Sequence, residues 1–343
     1  MLTVEAAFRL AAEHQDAGRL REAEALYQQI LRVAPGHLDS LNNLGLLWAT
    51  QERWHESRED RRGESWRHLP QPLWNGGDVA GKRILLHAEH GLADSIQFIR
   101  YAALVAERGG HVIVECPCTL VELFCSAKGV RKIVAAGDPL PPFDLHAPMH
   151  SLPWLFRTAV ETIPAETPYL FAEPNRRRGW GVLLGAERSH LHVGVALTGN
   201  SPQRRTPKRD IPTELFRSIL RTPGINFFSL PASPSSGHSI QATPTPGDPG
   251  DAPQDFADTA ALMANLDLII TAETAVAHLA GALGRPTWTL VPFVPGWRWG
   301  LGRNDSPWYP TMRLFRQPAP GDWESVIHRV SHELERAVKT RVA

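Results

Sequence analysis

The stretch DLIITAETAVAHLAGALGRP, Asp267 to Pro286, constrains the fold more than any other part of the chain. Leu268, Ile269 and Ile270 form a short apolar run of strand type. Thr271 to Thr274 form a polar turn, and Val276 to Leu283 place small and apolar residues at helical spacing until Gly284 and Pro286 stop the helix. Strand, turn and helix in that order make a βα unit, which in an open α/β sheet sets the turn at the carboxyl edge of the strands. There the first N–H groups of the helix and the positive end of its dipole favour a ligand phosphate by about 0.3–1 kcal/mol before specific contacts. Ala272, Ala275 and Ala277 are small enough to let a ligand reach the backbone. An ordinary βα unit with no ligand carries the same pattern, so the choice rests on the remainder of the chain.

Two series of alternating strands and helices surround this unit. In the first, Arg83 to Ala88 reads as a buried strand, Ser95 to Gly109 as a helix, and His111 to Pro117 as a second strand. Thr119 to Lys128 reads as a helix, Arg131 to Ala135 as a third strand, and Phe143 to Pro148 as a fourth. After a mixed crossing from Thr167 to Glu187, the second series runs strand His192 to Leu197, helix Pro212 to Arg221, strand Asn226 to Leu230 and helix Phe256 to Asn265. The central unit comes next, then strand Pro286 to Pro292 and an amphipathic helix from Trp323 to Lys339. Such alternation calls for parallel sheets. The expected class is α/β, with two facing Rossmann-like domains at residues 69–175 and 176–318 and a terminal helix over 319–343.

Residues 1–68 differ. Leu10, Ala23, Tyr27 and Pro35 stand at tetratricopeptide-repeat spacing, and Leu41, Leu44, Gly45 and Trp48 repeat the register. Each repeat is a helix pair that cannot bury its apolar face alone, so an array this short must lean on the adjoining domain or on a partner. The charge run Glu56 to Glu64 reads as a solvated helix face, and the Pro-, Ser- and Gly-dense stretch from Pro231 to Pro253 as a long loop.

Two α/β halves with facing ligand edges suit an enzyme that holds one substrate in each. The first half offers the loop Glu89 to Asp94, with His90, Gly91 and nearby Gln97 as candidate site residues and Asp94 as the candidate general base. A helix cap is the competing role for Asp94. Between strand His192 to Leu197 and its helix lies TGNSPQRRTPKRDI, whose Thr198, Asn200, Arg204, Arg205, Lys208 and Arg209 suit a departing diphosphate; a solvated basic loop is the alternative. His278, one helical turn past the central turn, is either a packing histidine or a ligand group.

The chain contains no Asp-x-Asp pair, so the expectation is a metal-free mechanism with no cofactor. No Gly-x-Gly-x-x-Gly comes after a strand, and neither a P-loop nor a Gly-x-Ser-x-Gly is present, which removes dehydrogenase, kinase and hydrolase readings. Lys plus Arg equals Asp plus Glu at 36 each, against a nucleic-acid partner bound by charge neutralisation. Cys116, Cys118 and Cys125 read as reduced thiols, and the lack of a signal-like or membrane-spanning apolar run gives the expectation of a cytoplasmic protein.

Four separated motifs in order, HGLADSIQF, VGVALTGN with RD-I-P, DFADTAALMANLDLIITAETAVAHLAGALGRP, and W-R-W to SPWYPTMRLFRQ, resemble bacterial tetratricopeptide proteins fused to a heptosyltransferase-like glycosyltransferase of family nine. The resemblance covers nearly the whole chain and implies that the two Rossmann-like domains form a GT-B fold. It implies an inverting, metal-independent transfer of a sugar from a nucleotide-sugar donor in the C-terminal domain to a saccharide or protein acceptor in the N-terminal one. By the same resemblance Asp94 is the base, Thr274, Ala275 and Val276 bind the donor phosphates with His278 in the same motif, and Thr198, Gly199 and Asn200 approach the diphosphate from the other side. Three places depart from the family's usual residues: Glu273 replaces Asp, Ala93 replaces a Gly whose backbone freedom alanine lacks, and Leu197, Thr198, Gly199 and Asn200 stand where an aromatic followed by Ala-Gly-Asn is common. The competing reading is a catalytically decayed scaffold whose repeats bind a protein partner.

Overall fold

The computed structural model describes residues 3–16, 19–34, 37, 40, 43–44, 69–89, 91–185, 189–196, 211–231, 253, 255–293, 295–300 and 302–342. The chain divides into two compact units, one of Met1–Pro70, Pro153–Ile163 and Pro295–Arg303, the other of Gln71–Leu152, Pro164–Val294 and Asn304–Ala343.

In the first unit, helices α1 (Val4–Asp16) and α2 (Leu20–Val33) pack on one another. Ala11, Ala23, Tyr27, Ile30, Leu31 and Leu44 form their core. Tyr27 is wholly buried, and its hydroxyl donates to Gln15 Oε1 at 2.9 Å while accepting from Asn43 Nδ2 at 2.9 Å. Of the repeats expected over residues 1–68, the described residues therefore contain one helix pair, α1 and α2. Pro35, Leu41, Gly45 and Trp48, and with them most of the expected second repeat, lie outside the described residues.

The second unit holds two parallel sheets. The first is built from β1 (Arg83–His87), β2 (His111–Cys116), β3 (Val130–Ala135) and β4 (Leu145–Pro148) in the order β3-β2-β1-β4. The second contains β5 (Leu191–Ala196), β6 (Ile225–Ser229), β7 (Leu268–Ala272), β8 (Thr287–Val291) and β9 (Met312–Arg316) in the order β6-β5-β7-β8-β9. Continuous apolar runs such as Ile84-Leu85-Leu86, all fully buried, are what a strand covered on both faces requires. Each order reverses once, beside β1 in the first sheet and between β5 and β7 in the second, and such switch points open crevices at the carboxyl edge.

Helices of the first series are α3 (Leu92–Phe98), α4 (Tyr101–Glu107) and α5 (Val121–Phe124). Those of the second are α6 (Pro174–Leu183), α7 (Thr213–Ile219), α8 (Phe256–Met263), α9 (Ala275–Ala282) and α10 (Trp323–Val342). The single helix expected from Ser95 to Gly109 is two, because the Ala102 N–H bonds to the Ile99 carbonyl in a tightened turn and Arg100 Nε takes the Gln97 carbonyl. The helix expected from Thr119 to Lys128 shrinks to a 3-10 turn at Cys118–Leu120 and the one-turn α5, since the Ser126 hydroxyl captures the Leu123 carbonyl at 2.7 Å. The strand of the central unit runs through Ala272, so its polar turn is shorter than Thr271 to Thr274. Strand β9 has no counterpart among the elements expected from the sequence; it adds an edge beside β8, pairing Thr289 with Leu314. The apolar stripe Trp323, Val326, Ile327, Val330 and Leu334 of α10 closes the second sheet's core over Val193, Val195, Phe227 and Ile270.

Candidate functional site

Both candidate loops form at switch points. After β1, the chain passes through Gly91, the N-cap of α3, whose extended backbone and missing side chain leave capping to the backbone alone. Gly91 holds the cap position and Asp94 stands third in the first turn of α3. Its Oδ1 lies 4.0 Å from His150 Nε2, both side chains being about one-fifth exposed at 23% and 20%. His150 comes directly after β4 and packs edge-on against Phe98, ring centroids 5.1 Å apart. Nothing in the sequence singled it out; the one available signal was its place just beyond a strand neighbouring β1. Ala93 sits inside α3 in helical conformation, where alanine is unstrained, so the restriction expected from losing a glycine does not arise.

The second loop is built the same way. Thr274 caps α9, its Oγ1 accepting from the Val276 N–H at 3.2 Å. Ala272, Glu273, Thr274 and Ala275 are half-exposed, whereas Val276 through Ala282 are buried. The α3 segment is graded likewise: Gly91 is exposed, Leu92, Ala93 and Asp94 are half-exposed, and Ser95 onward is buried. Helices α3 and α9 pack directly on each other, so two open helix starts belong to one buried helix pair.

Two of the remaining candidates are buried within that pair. Gln97 is wholly buried one turn after Asp94, facing packed side chains rather than solvent. His278 is 4% exposed and its Nδ1 lies 2.7 Å from the Tyr309 hydroxyl. Burial, and then the nearby Arg100 cation, push its pKa down to about 3, so the ring is neutral across ordinary pH. His90, Thr198, Gly199, Asn200, Arg205 and Lys208, together with Arg204 and Arg209, lie outside the described residues. The strand that leads to residues 197–210, β5, ends with Ala196 paired beside Thr271 of β7.

Elsewhere, the buried rings of His87 and His146 meet with Nε2 and Nδ1 3.2 Å apart, and burial lowers the His146 pKa. A cavity of about 340 Å³ at the β9 edge, lined by Asn304, Arg313, Phe315, His328, Arg329 and His332 among others, shares no residue with the two helix starts. The three cysteines are free, and burial pushes the Cys116 thiol up to about 12. Among the described residues, no group of three or more His, Cys, Asp or Glu is placed to hold a metal ion. No helix among them is long and apolar enough to cross a membrane.

No protein-family model matches the chain. It is 26% identical over 290 residues to Protein FlbA of Caulobacter vibrioides, an alignment covering 78% of this chain but 48% of that protein, so the chain spans about half the length of that relative. Among solved structures it is similar to the ADP-heptose lipopolysaccharide heptosyltransferase II of E. coli, with a TM-score of 0.53 and 14% identity over 76% of this chain and 100% of that one. A family 9 glycosyltransferase of Veillonella parvula gives 0.50 and 11% over 78% and 91%. The dodecameric iron-containing heptosyltransferase TibC of enterotoxigenic E. coli, in complex with ADP-D-β-D-heptose, gives 0.50 and 13% over 81% of each chain. At these identities the likeness establishes the fold: parallel α/β sheets arranged as in the heptosyltransferases.

Proposed function

We propose that this chain is a glycosyltransferase that moves a sugar from a nucleoside-diphosphate donor to an acceptor hydroxyl, inverting the anomeric centre without a metal. The observation that carries the reading is the pairing of α3 with α9, two helices that begin half-open at switch-point edges while their bodies are buried, in a fold shared with heptosyltransferases. The donor class is inferred from TibC, whose structure holds a nucleoside-diphosphate heptose.

In this reading the acceptor hydroxyl surrenders its proton to the Asp94 carboxylate as its oxygen attacks the anomeric carbon. The bond from that carbon to the β-phosphate oxygen breaks, and the nucleoside diphosphate leaves against the start of α9 with its new charge stabilised there. Thr274, Ala275 and Val276 supply the anion-facing helix start, and Glu273 lies beside it toward the nucleotide. His278 acts from below, as a neutral ring that fixes α9 rather than one that meets the donor. His150 orients the Asp94 carboxylate. Thr198, Gly199, Asn200, Arg205 and Lys208 are assigned to the diphosphate by the sequence resemblance, doing with cations and hydroxyls what a metal does in enzymes that carry an Asp-x-Asp clamp. His90 and Gly91 are assigned to the acceptor from their place in the sequence after β1. The α1–α2 pair opens a repeat surface for a protein acceptor or partner.

Transfer assays with UDP-, GDP- and ADP-sugars, preceded by thermal shifts with the three free diphosphates, test the reading. A diphosphate at a hundred times its Kd stabilises a protein by about 2.7 kcal/mol. Asp94→Asn is expected to slow transfer by about 10²–10⁴-fold, the usual contribution of a general base, with diphosphate affinity within threefold of the parent. Unchanged turnover removes Asp94 from the chemistry. Absence of any diphosphate binding instead favours a silent scaffold.

A further inference from the structure

Between the two sheets of the second unit lies a buried cation. Arg100, two residues past α3, is 5% exposed, and its partners among the described residues are carbonyls and a hydroxyl rather than a carboxylate. Four hydrogen bonds to described residues hold its guanidinium. Nε donates to the Gln97 carbonyl at 2.9 Å, Nη1 to the Pro164 carbonyl at 3.1 Å and the Trp308 carbonyl at 2.9 Å, and Nη2 to the Tyr169 hydroxyl at 2.9 Å. The faces of Tyr169, Tyr309 and Trp308 surround it, 4.3, 4.8 and 5.5 Å from ring centre to Cζ. A planar, weakly hydrated fork can satisfy carbonyls and stack on rings at once, which the compact ammonium of lysine cannot.

Arg100 and its two tyrosine neighbours grip the two helices whose starts bear the candidate chemistry. Tyr169 donates its hydroxyl to the Ile96 carbonyl of α3 at 3.0 Å and its backbone N–H to the Ala282 carbonyl, the last residue of α9, at 3.0 Å. Tyr309 lies against Gly281 of α9 and bonds His278 of the same helix through its hydroxyl. Arg100 itself holds the last turn of α3 through Gln97. With a rise of about 1.5 Å per residue, Asp94 stands about 3 Å along α3 from Ile96, and Thr274 about 6 Å along α9 from His278. Levers that short transmit a shift of the knot to the helix starts with little loss.

We propose that Arg100, with Tyr169 and Tyr309, is a positioning element that sets the separation of Asp94 on α3 from the phosphate-facing start of α9. It touches neither substrate. The consequence for the transfer rests on the function proposed above: the knot governs how the attacking oxygen lines up with the anomeric carbon, whereas diphosphate binding, which belongs to the second sheet alone, is left nearly intact.

The test uses the full chain with Arg100→Met, which keeps the bulk and removes the charge and donors, beside Tyr169→Phe, which removes one hydroxyl. Steady-state kinetics, calorimetric titration with the productive nucleoside diphosphate, and amide hydrogen exchange are read for each. Expected for Arg100→Met is a kcat at least tenfold lower, a diphosphate Kd within threefold, and exchange at least tenfold faster in α3 and α9 together. Tyr169→Phe moves the same three readings in the same directions by less. A merely structural residue would instead lower the active fraction while leaving kcat per active site unchanged. Kcat within twofold in a folded Arg100→Met protein, or a loss confined to KM, overturns the proposal; if Arg100→Met does not fold, kcat within 1.2-fold in Tyr169→Phe overturns it. Should the parent neither bind a diphosphate nor transfer a sugar, the functional reading falls by itself, and the exchange rates alone decide whether the knot couples the helices, unchanged exchange in both variants refuting it.

Discussion

Gly281→Ala is a one-carbon change whose cost is set by the packing of α9. A Cβ at Gly281 would lie 2.5 Å from Tyr309 Cγ and 2.8 Å from Cε1, with Cδ1 nearer still. The ring has nowhere to go. Tyr309 is wholly buried, its hydroxyl is fixed to His278 Nδ1 at 2.7 Å, and the Arg100 guanidinium lies 4.8 Å from its centre. Overpacking of this kind costs about 1–3 kcal/mol. If the ring tilts enough to release His278, a buried nitrogen loses its partner for about 1–3 kcal/mol more. Alanine's better helix propensity returns about 0.8–1 kcal/mol. The net expectation, with the ring tilted, is a destabilisation of about 1–5 kcal/mol, combining these three contributions. Urea unfolding monitored by tryptophan fluorescence measures it, and the same substitution in a Tyr309→Leu background isolates the clash, since the cost should fall by more than half once the ring is gone. A Gly281→Ala protein as stable as its parent, or more so, would mean that helix propensity dominates and that Tyr309 is not locked against α9.

Thr274→Ala is expected to lower stability by about 0.5–2 kcal/mol through loss of the cap and to weaken nucleoside-diphosphate binding in calorimetry, while Thr274→Ser preserves both. His278 gives a pH signature: with the ring held down to about 3 when folded and ordinary when unfolded, the unfolded chain binds the extra proton between about pH 6.5 and 3. Its contribution is thus complete above about pH 6.5 and is lost on acidification through that window, at up to about 1.4 kcal/mol per pH unit. His278→Gln should flatten that slope relative to the parent in paired unfolding series, and an unaltered slope would place the ring in water.

The elements were legible in the chain because their signals are local. Ile84-Leu85-Leu86 and Leu268-Ile269-Ile270 announce buried strands within a few residues, and the small-residue spacing from Val276 to Leu283 announces α9. Strand β9 was missed because Met312–Arg316 places two arginines among three apolar residues, which gives neither the continuous apolar run of a strand buried on both faces nor a clean period of two. The break after Phe98 was invisible for a different reason. It depends on which carbonyl Arg100 captures, and the helical pattern runs through it unbroken.

Sequence alone determined the order of the strands and helices apart from β9 and the break between α3 and α4, and with it the helix starts after β1 and β7 and the acidic residue in the first of them, since each depends on neighbours within a turn or a strand. The tertiary structure decided which distant groups meet: His150 beside Asp94, Tyr309 on Gly281, and Arg100 on the carbonyl of Trp308, 208 positions along the chain. Those meetings arise from strand order and helix packing, and no periodicity encodes them. A residue such as Arg100 therefore reads as one more surface charge until the fold surrounds it with aromatic faces and carbonyls in place of water.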